Sequence, residues 1–144
     1  MNSRFLFFVL TFFLIAACSK DKDNSADLLQ GKWTATSLME DGNEYIQNQP
    51  LEITTASMEF KDEKVSIIFS TKYPNFPLEV ETYQGNYNSD GKKIEMVIAN
   101  EEKDTLKWDL NVLVLESKKL EFAGTEKSNN PDEPIVSLSA KFIR

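Results

Sequence analysis

The side chains that could do chemistry in this chain are almost all carboxylates. The sequence holds 23 Asp and Glu residues, one cysteine and no histidine. It therefore offers no imidazole base or imidazole metal ligand, and Cys18 alone cannot build a thiolate zinc site. No nucleophile elbow, phosphate loop or dinucleotide fingerprint is present in the sequence. We predict no catalytic residue, no metal site and no cofactor, and hence a protein that is not an enzyme.

The carboxylates themselves are interpreted as solvated side chains. Most fall on the polar positions of alternating segments or in turns, which is typical of a water-facing surface. The segment of residues 41–44 and the pair Asp132 and Glu133 could touch a calcium ion, but neither has the spacing of a dedicated calcium loop. Turn formation is the better explanation of both.

The overall charge argues against one class of partner. The chain carries 16 Lys and Arg residues against 23 Asp and Glu residues, a net charge of −7. An acidic domain repels nucleic acid, so we predict no nucleic-acid partner.

The N-terminal residues predict export from the cytoplasm. Arg4 precedes an uncharged apolar run over residues 5–17, which is shorter than the roughly 20 residues that span a bilayer core. A short apolar run after a basic start is typical of a secretory signal peptide, here residues 1–17. Ordinary cleavage after Ala17 would place the bulky Ile15 at a position where small residues are preferred.

The end of this run carries a more specific signal. Ile15, Ala16, Ala17 and Cys18 resemble the lipobox of bacterial lipoproteins. The resemblance implies that Cys18 is acylated, becomes the new N-terminus and anchors the chain to a membrane. Two or three acyl chains make such an anchor stable, whereas one chain holds only marginally. The alternative is a plain secreted protein with a spare thiol.

The next residues predict a flexible tether. Residues 18–27 are polar and show no periodicity, so they are expected to stay solvated. Lys20, Asp21, Lys22 and Asp23 resemble the charged export tag of surface lipoproteins of Bacteroidota. The resemblance implies an outer-membrane lipoprotein exposed at the cell surface. The alternatives are a periplasm-facing protein and a tag that is only a spacer.

The remainder, residues 28–144, alternates between apolar and polar residues with the period of β-strands. Eight strands are predicted, at residues 32–40, 57–61, 64–71, 78–87, 93–99, 105–116, 119–125 and 135–143. The alternation slips near residues 111–113, which predicts a bulge or bend. Sequential strands with one polar face favour a closed surface, because closure removes sheet edges. We therefore predict an all-β, eight-stranded up-and-down antiparallel barrel. An open barrel and a two-sheet sandwich are the alternatives.

Three motifs resemble the lipocalin family and the bacterial lipocalin-like lipoprotein domains. Gly31 and Trp33 at the first strand resemble the Gly-x-Trp signature of lipocalins, and "GNYNSDGKKIEM" and "WDLNVLVLESKKLEF" resemble later hairpins of the bacterial domains. The resemblance implies that Trp33 closes one barrel end with a basic side chain stacked on it. Lys141 and Arg144 are the two candidates for that basic side chain. The alternative is that Trp33 is an ordinary core aromatic residue.

The same resemblance implies a binding function. A lipocalin-like barrel would bind a small apolar ligand in or at the mouth of the barrel. Tyr73 and Phe76, in a loop with two prolines, are the candidates for the rim of that mouth. Tyr83 and Tyr87 share one strand face, whose direction the sequence leaves open. The alternative function is a surface interaction with a partner protein, made by a barrel whose interior is filled.

The lipobox resemblance makes a testable prediction about the membrane anchor. Changing Cys18→Ser should release the protein from the membrane fraction or leave an uncleaved precursor, because the acylated sulfur is lost. Fractionation and intact-mass measurement of the mature chain test this. An unmodified thiol at residue 18 of the wild-type protein, with unchanged fractionation of the variant, would contradict the lipoprotein interpretation.

Overall fold

A computed structural model of the protein describes residues 25–46, 48–49 and 52–144. The predicted signal peptide (residues 1–17), Cys18 and the predicted tag residues 20–23 lie outside the described residues. The elements are α1 (Ser25–Leu29), β1 (Gly31–Glu40), β2 (Asn43–Glu44), β3 (Asn48–Gln49), β4 (Glu52–Lys61), β5 (Lys64–Lys72), β6 (Glu79–Ser89), β7 (Lys93–Ala99), β8 (Thr105–Glu116), β9 (Lys119–Ser128) and β10 (Val136–Ile143). No helix among these elements is long and apolar enough to cross a membrane.

Eight of the strands form a closed antiparallel barrel. Strands β4 to β10 pair in sequence order, and β1 pairs with β10 on one side and with β4 on the other. The predicted up-and-down barrel is therefore confirmed, and the open barrel and the sandwich are not formed. The two-residue strands β2 and β3 extend the pairing at one end of β1 and β4.

The period-two alternation sorts side chains between the barrel interior and water. In β7, Ile94, Met96 and Ile98 are buried, whereas Glu95 and Val97 between them are exposed. Burying one such aliphatic side chain contributes about 1.5–3 kcal/mol. The interior is built from these positions on every long strand, so the hydrophobic core lies inside the ring.

Two β-bulges interrupt this alternation. In β8 the register shifts between Val112 and Val114, as predicted from the slip in the apolar pattern. In β1 the register with β10 shifts between Ala35 and Ser37, which the sequence did not predict. A bulge adds one residue to one strand and so reverses which residues face inward beyond it. Before the shift Trp33 and Ala35 are buried, and after it Leu38 is buried.

A glycine allows the close approach of two strands. A Cβ atom at Gly124 in β9 would lie 2.0 Å from the carbonyl oxygen of Asp109 in β8. No side chain fits at that distance, so only glycine permits the local strand curvature that the barrel needs here.

The two ends of the barrel differ. At one end the hairpins turn tightly at residues 62–63, 90–92 and 117–118, and α1 lies beside the start of β1. At the other end the connections are longer, including residues 73–78 and 129–135. We call these the closed end and the open end.

Trp33, α1 and the C-terminal residue together seal the closed end. Trp33 is fully buried, and its Nε1–H donates to the carbonyl oxygen of Leu29 at 2.8 Å. The guanidinium carbon of Arg144 lies 3.9 Å from the centroid of the Trp33 ring. Arg144 also donates to the carbonyl oxygens of Gln30, at 2.7 Å, and of Leu28. Of the two predicted basic partners, Arg144 therefore stacks on Trp33, whereas Lys141 lies on the outer face.

Gln30, which follows α1, links the closed end to the β4–β5 turn and to β6 through side-chain hydrogen bonds. Its side-chain oxygen accepts the backbone N–H of Asp62 at 2.9 Å, and its side-chain amide donates to the hydroxyl of Tyr87 at 2.7 Å. Gly31 follows with a φ of 101°, a conformation that side-chain-bearing residues rarely adopt. The positive φ lets the chain turn from α1 directly into β1.

This packing makes a prediction about Trp33. Replacing it as Trp33→Ala should cost about 3–5 kcal/mol of unfolding free energy, because a large buried ring and its hydrogen bond are lost. That is a large share of the stability of a single domain. Urea unfolding followed by circular dichroism measures the change.

Phe76→Ala provides the matched control. Phe76 is 62% exposed, so its truncation should change the unfolding free energy by no more than about 0.5 kcal/mol. Equal unfolding midpoints for the parent and Trp33→Ala would show that the closed end does not depend on this ring.

Candidate functional site

The open end of the barrel contains a cavity of about 160 Å³, which we call the mouth cavity. Its walls come from β1, β5, β6, β8, β9 and β10 and from the loop that follows β2. Three leucines, Leu38, Leu106 and Leu138, supply aliphatic surface. The cavity is about the size of an engineered apolar cavity that holds one benzene molecule.

Four aromatic side chains line much of the remaining wall. Tyr45 contacts Phe69 edge-on with 5.4 Å between ring centroids, and Phe69 contacts Tyr83 edge-on at 6.1 Å. Trp108 is 2% exposed and completes the set. Edge-to-face pairs of this kind are favourable because the positive edge of one ring meets the negative face of the other. The rings therefore form a mutually supported apolar wall.

Glu126 brings a carboxylate into this apolar wall. It lies in β9 on the same inward phase as Leu120 and Phe122, and it is half-buried. Its Oε2 accepts the indole Nε1–H of Trp108 at 2.7 Å. Burial raises the pKa of Glu126, the hydrogen bond from Trp108 opposes that rise, and the nearby carboxylate of Glu40 adds to it.

A second carboxylate is held by a tyrosine. The hydroxyl of Tyr83 donates to Oε1 of Glu81 at 2.7 Å, and the side-chain amide of Asn100 donates to the same oxygen at 3.3 Å. Burial and the neighbouring Glu81 raise the pKa of Tyr83. The phenol therefore stays protonated and remains a donor across the neutral range.

The third carboxylate, Glu40, reaches the cavity because of the bulge in β1. Trp33 and Ala35 point inward, so without the register shift the alternation would turn Glu40 outward. Beyond the shift it shares the inward phase of Leu38. Among the described residues, none of the ion pairs involves Glu40, Glu81 or Glu126. The mouth cavity thus combines aromatic walls with carboxylates that lack a cationic partner in the described part of the chain.

A fourth carboxylate at this end has a structural role. Glu44 accepts hydrogen bonds from the hydroxyl of Ser37 at 2.5 Å and from the backbone N–H groups of Leu38 and Ile46, at 2.8 and 3.0 Å. Burial opposes the charge of Glu44, but these hydrogen bonds outweigh it and lower its pKa. Glu44 therefore fixes the loop that carries Tyr45 to the cavity wall.

The residues predicted as the mouth rim lie beside the cavity rather than in its wall. Tyr73 borders a depression that also includes Tyr45 and Phe69, next to the mouth cavity. Phe76 is exposed and lines a separate open depression with Tyr73 and Glu79. Neither side chain lines the mouth cavity itself, and Trp33 lies at the opposite end of the barrel.

Most acidic residues were interpreted as solvated, but Glu40 and Glu126 are partly buried in the cavity wall, and the exposed Glu81 borders the cavity. The predicted strand 119–125 ends before Glu126, but β9 continues through Ser128, so Glu126 occupies an inward strand position. Glu81 shares a face with Tyr83, and that face points inward. Period-two alternation carried past residue 125 would have found Glu126, whereas Glu81 lay within a predicted strand whose inward face the sequence left open. Glu40 gave no such signal, because it depends on the bulge.

The carboxylates do not form a metal site. No group of three or more His, Cys, Asp or Glu residues in the described part of the chain is placed to hold a metal ion. The arrangement can instead accept hydrogen bonds or face a positive charge at the boundary between the cavity and water.

Comparison with known proteins establishes the fold. No protein-family model matches the chain, and no curated protein matches it. Among solved structures, a redesigned beta barrel is similar with a TM-score of 0.54 and 14% identity, over 84% of this chain and 95% of its own. The protein EF1p2_mFAP2b bound to DFHBI is similar with a TM-score of 0.51 and 9% identity, over 84% of this chain and 97% of its own. At these identities the likeness defines the class of protein as an antiparallel β-barrel.

The raised pKa of Glu126 makes a prediction about stability. A carboxyl whose pKa is higher in the folded state than in the unfolded state costs stability once it is ionised in the folded state. Glu126→Gln should therefore raise the melting temperature at pH 7, since glutamine is neutral and still accepts the Trp108 hydrogen bond. The gain should shrink below the raised pKa and disappear below pH 4.5, the ordinary glutamate value, where the parent carboxyl is also neutral.

Glu116→Gln is the control, because it removes the same charge from an exposed position near the β8–β9 turn. Its melting temperature should stay close to that of the parent at pH 7. A lower melting temperature for Glu126→Gln at pH 7 would show that ionised Glu126 stabilises the barrel.

Proposed function

We propose that this protein is a membrane-anchored, lipocalin-like lipoprotein that binds a small apolar ligand in the mouth cavity. The observation that carries the binding proposal is the mouth cavity itself. The closed half of the barrel is filled by rings such as Phe60, Phe122 and Phe142, but the open half retains about 160 Å³ of space. This space favours a ligand-binding barrel over the alternative of a filled barrel that works through its outer surface.

The size and lining of the cavity limit the ligand. Typical sites for drug-sized ligands occupy about 300–1,000 Å³, so this cavity suits one ring or the end of a short chain. A longer ligand would extend past Tyr73 toward solvent. The structurally similar barrel EF1p2_mFAP2b, which is bound to DFHBI, provides a precedent for a ligand in this architecture.

The proposed anchor is compatible with access to the cavity. Residues 18–24 precede α1 in the sequence, and α1 lies at the closed end. An acylated Cys18 would therefore attach the anchor on the side of the closed end, away from the mouth cavity. The stacking of Arg144 on Trp33 supports the lipocalin-like part of the proposal, since the resemblance implies a basic side chain on that ring.

Titration of the full chain with toluene tests the binding proposal. The two tryptophans give separate indole N–H signals in a nitrogen–proton correlation spectrum. The Trp108 signal should shift in a saturable way, because Trp108 lines the cavity, whereas the Trp33 signal at the closed end should stay unchanged. A titration that leaves the Trp108 signal unmoved would contradict the proposal.

A cavity-filling variant makes the test specific. Leu106→Trp should abolish toluene binding by occupying the cavity. Leu113→Trp introduces the same side chain on the outer face of β8, where Leu113 is 62% exposed, and should leave binding intact. Equal toluene affinity in both variants would place the ligand outside the mouth cavity.

A further inference from the structure

We propose that the ligand of the mouth cavity is an organic cation, with an ammonium group attached to one ring or a short apolar chain. This inference rests on the proposed function, because it names the chemical class of ligand for the same cavity. It follows from how charge and aromatic surface are distributed around the cavity.

The charged groups in the wall are all negative. Glu40, Glu81 and Glu126 come from three different strands and face one small space. Among the residues that the structure describes, no Lys or Arg lines the cavity and no ion pair engages these three carboxylates. An anionic ligand would be repelled here, and a neutral ligand would cover the carboxylates without providing a counter-charge.

The hydrogen bonds already made by these groups leave room for a donor. Glu126 accepts one hydrogen bond, from the Trp108 indole, through Oε2. Glu81 accepts the Tyr83 hydroxyl and the Asn100 amide through Oε1. An ammonium group is a pure donor with up to three N–H bonds, so it complements carboxylate oxygens that face an apolar space.

The aromatic rings favour an organic cation. The faces of Trp, Tyr and Phe attract ammonium groups, by about 0.5–1 kcal/mol at exposed sites and more where water is excluded. Tyr45, Phe69, Tyr83 and Trp108 place four such rings around the cavity that the carboxylates enter. Since no described group of carboxylates is placed to hold a metal ion, the geometry selects an organic cation over a metal ion.

The partial burial of Glu126 also favours a cationic ligand. The pKa of Glu126 is raised by burial and by the neighbouring Glu40 and Glu133. A bound cation would reduce the repulsion among these carboxylates. The attraction is also stronger in a partly enclosed space than in bulk water, because water screens it less.

Three probes of nearly equal size separate the effect of ligand charge on affinity from the effect of ligand shape. Benzylammonium, benzyl alcohol and benzoate each carry one ring and one polar group, with positive, zero and negative charge. Titrated into the full chain at pH 7 and low salt, benzylammonium should bind at least tenfold more tightly than benzyl alcohol, and benzoate should bind weakest. The shift of the Trp108 indole signal reports binding, and the Trp33 signal serves as the internal control.

Two variants test whether the cavity carboxylates cause the preference for benzylammonium over benzyl alcohol. Glu126→Gln and Glu81→Gln should each reduce benzylammonium affinity at least threefold and leave benzyl alcohol affinity within twofold of the parent. Glu116→Gln, which removes the same charge near the β8–β9 turn, should leave both affinities unchanged. Because Glu81 is exposed, its variant keeps the test valid even if Glu126→Gln perturbs the fold.

The outcomes distinguish this inference from the proposed function. Binding of benzyl alcohol as tight as that of benzylammonium, or a benzylammonium preference that survives both cavity variants, would overturn the organic-cation inference and leave the cavity as an apolar site. Failure of toluene and all three probes to move the Trp108 signal would overturn both proposals.

Discussion

The structure depends on β1 pairing with two different strands. The first part of β1 lies against β4 and the rest against β10, and Thr34 takes part in both pairings. This double pairing closes the ring of strands, with β1 and β4 joined over residues 31–34 and 57–60, and closure removes sheet edge that an open sheet would leave exposed. β1 can pair with both neighbours because a strand has two hydrogen-bonding edges, and the register shift between Ala35 and Ser37 directly follows the last pair with β4, at Thr34.

The register shift in β1 also determines which of its residues reach each end of the barrel. Before the bulge, β1 contributes Trp33 to the sealed end, where α1 and Arg144 cover the ring. After the bulge, it contributes Leu38 and Glu40 to the mouth cavity. The barrel therefore divides into a filled half and a partly hollow half, where aromatic rings and carboxylates line the cavity.

The acidic residues at the open end show how environment assigns different roles to one side-chain type. Glu44 receives several hydrogen bonds from its own loop, so its charge is compensated within the protein and its pKa is lowered. Glu126 receives one hydrogen bond within an apolar wall and faces other carboxylates, so its pKa is raised. Glu44 therefore holds its loop in place, whereas the charge of Glu126 is not compensated within the described protein and would be stabilised by a bound cation.

The sequence by itself determined the strand pattern, the barrel class and the buried face of most strands, because side-chain period and turn residues are local properties. Alternation extended past residue 125 would also have revealed Glu126 as an inward position. Only the tertiary structure decided that the strand face of Glu81 and Tyr83 points inward and that Glu40 joins the cavity wall, since a one-residue bulge exchanges inward and outward positions without changing the composition of the strand. It also decided that Arg144 rather than Lys141 covers Trp33, and that the core leaves a cavity at one end. These outcomes depend on where strands distant in sequence meet, and on how completely their side chains fill the space between them.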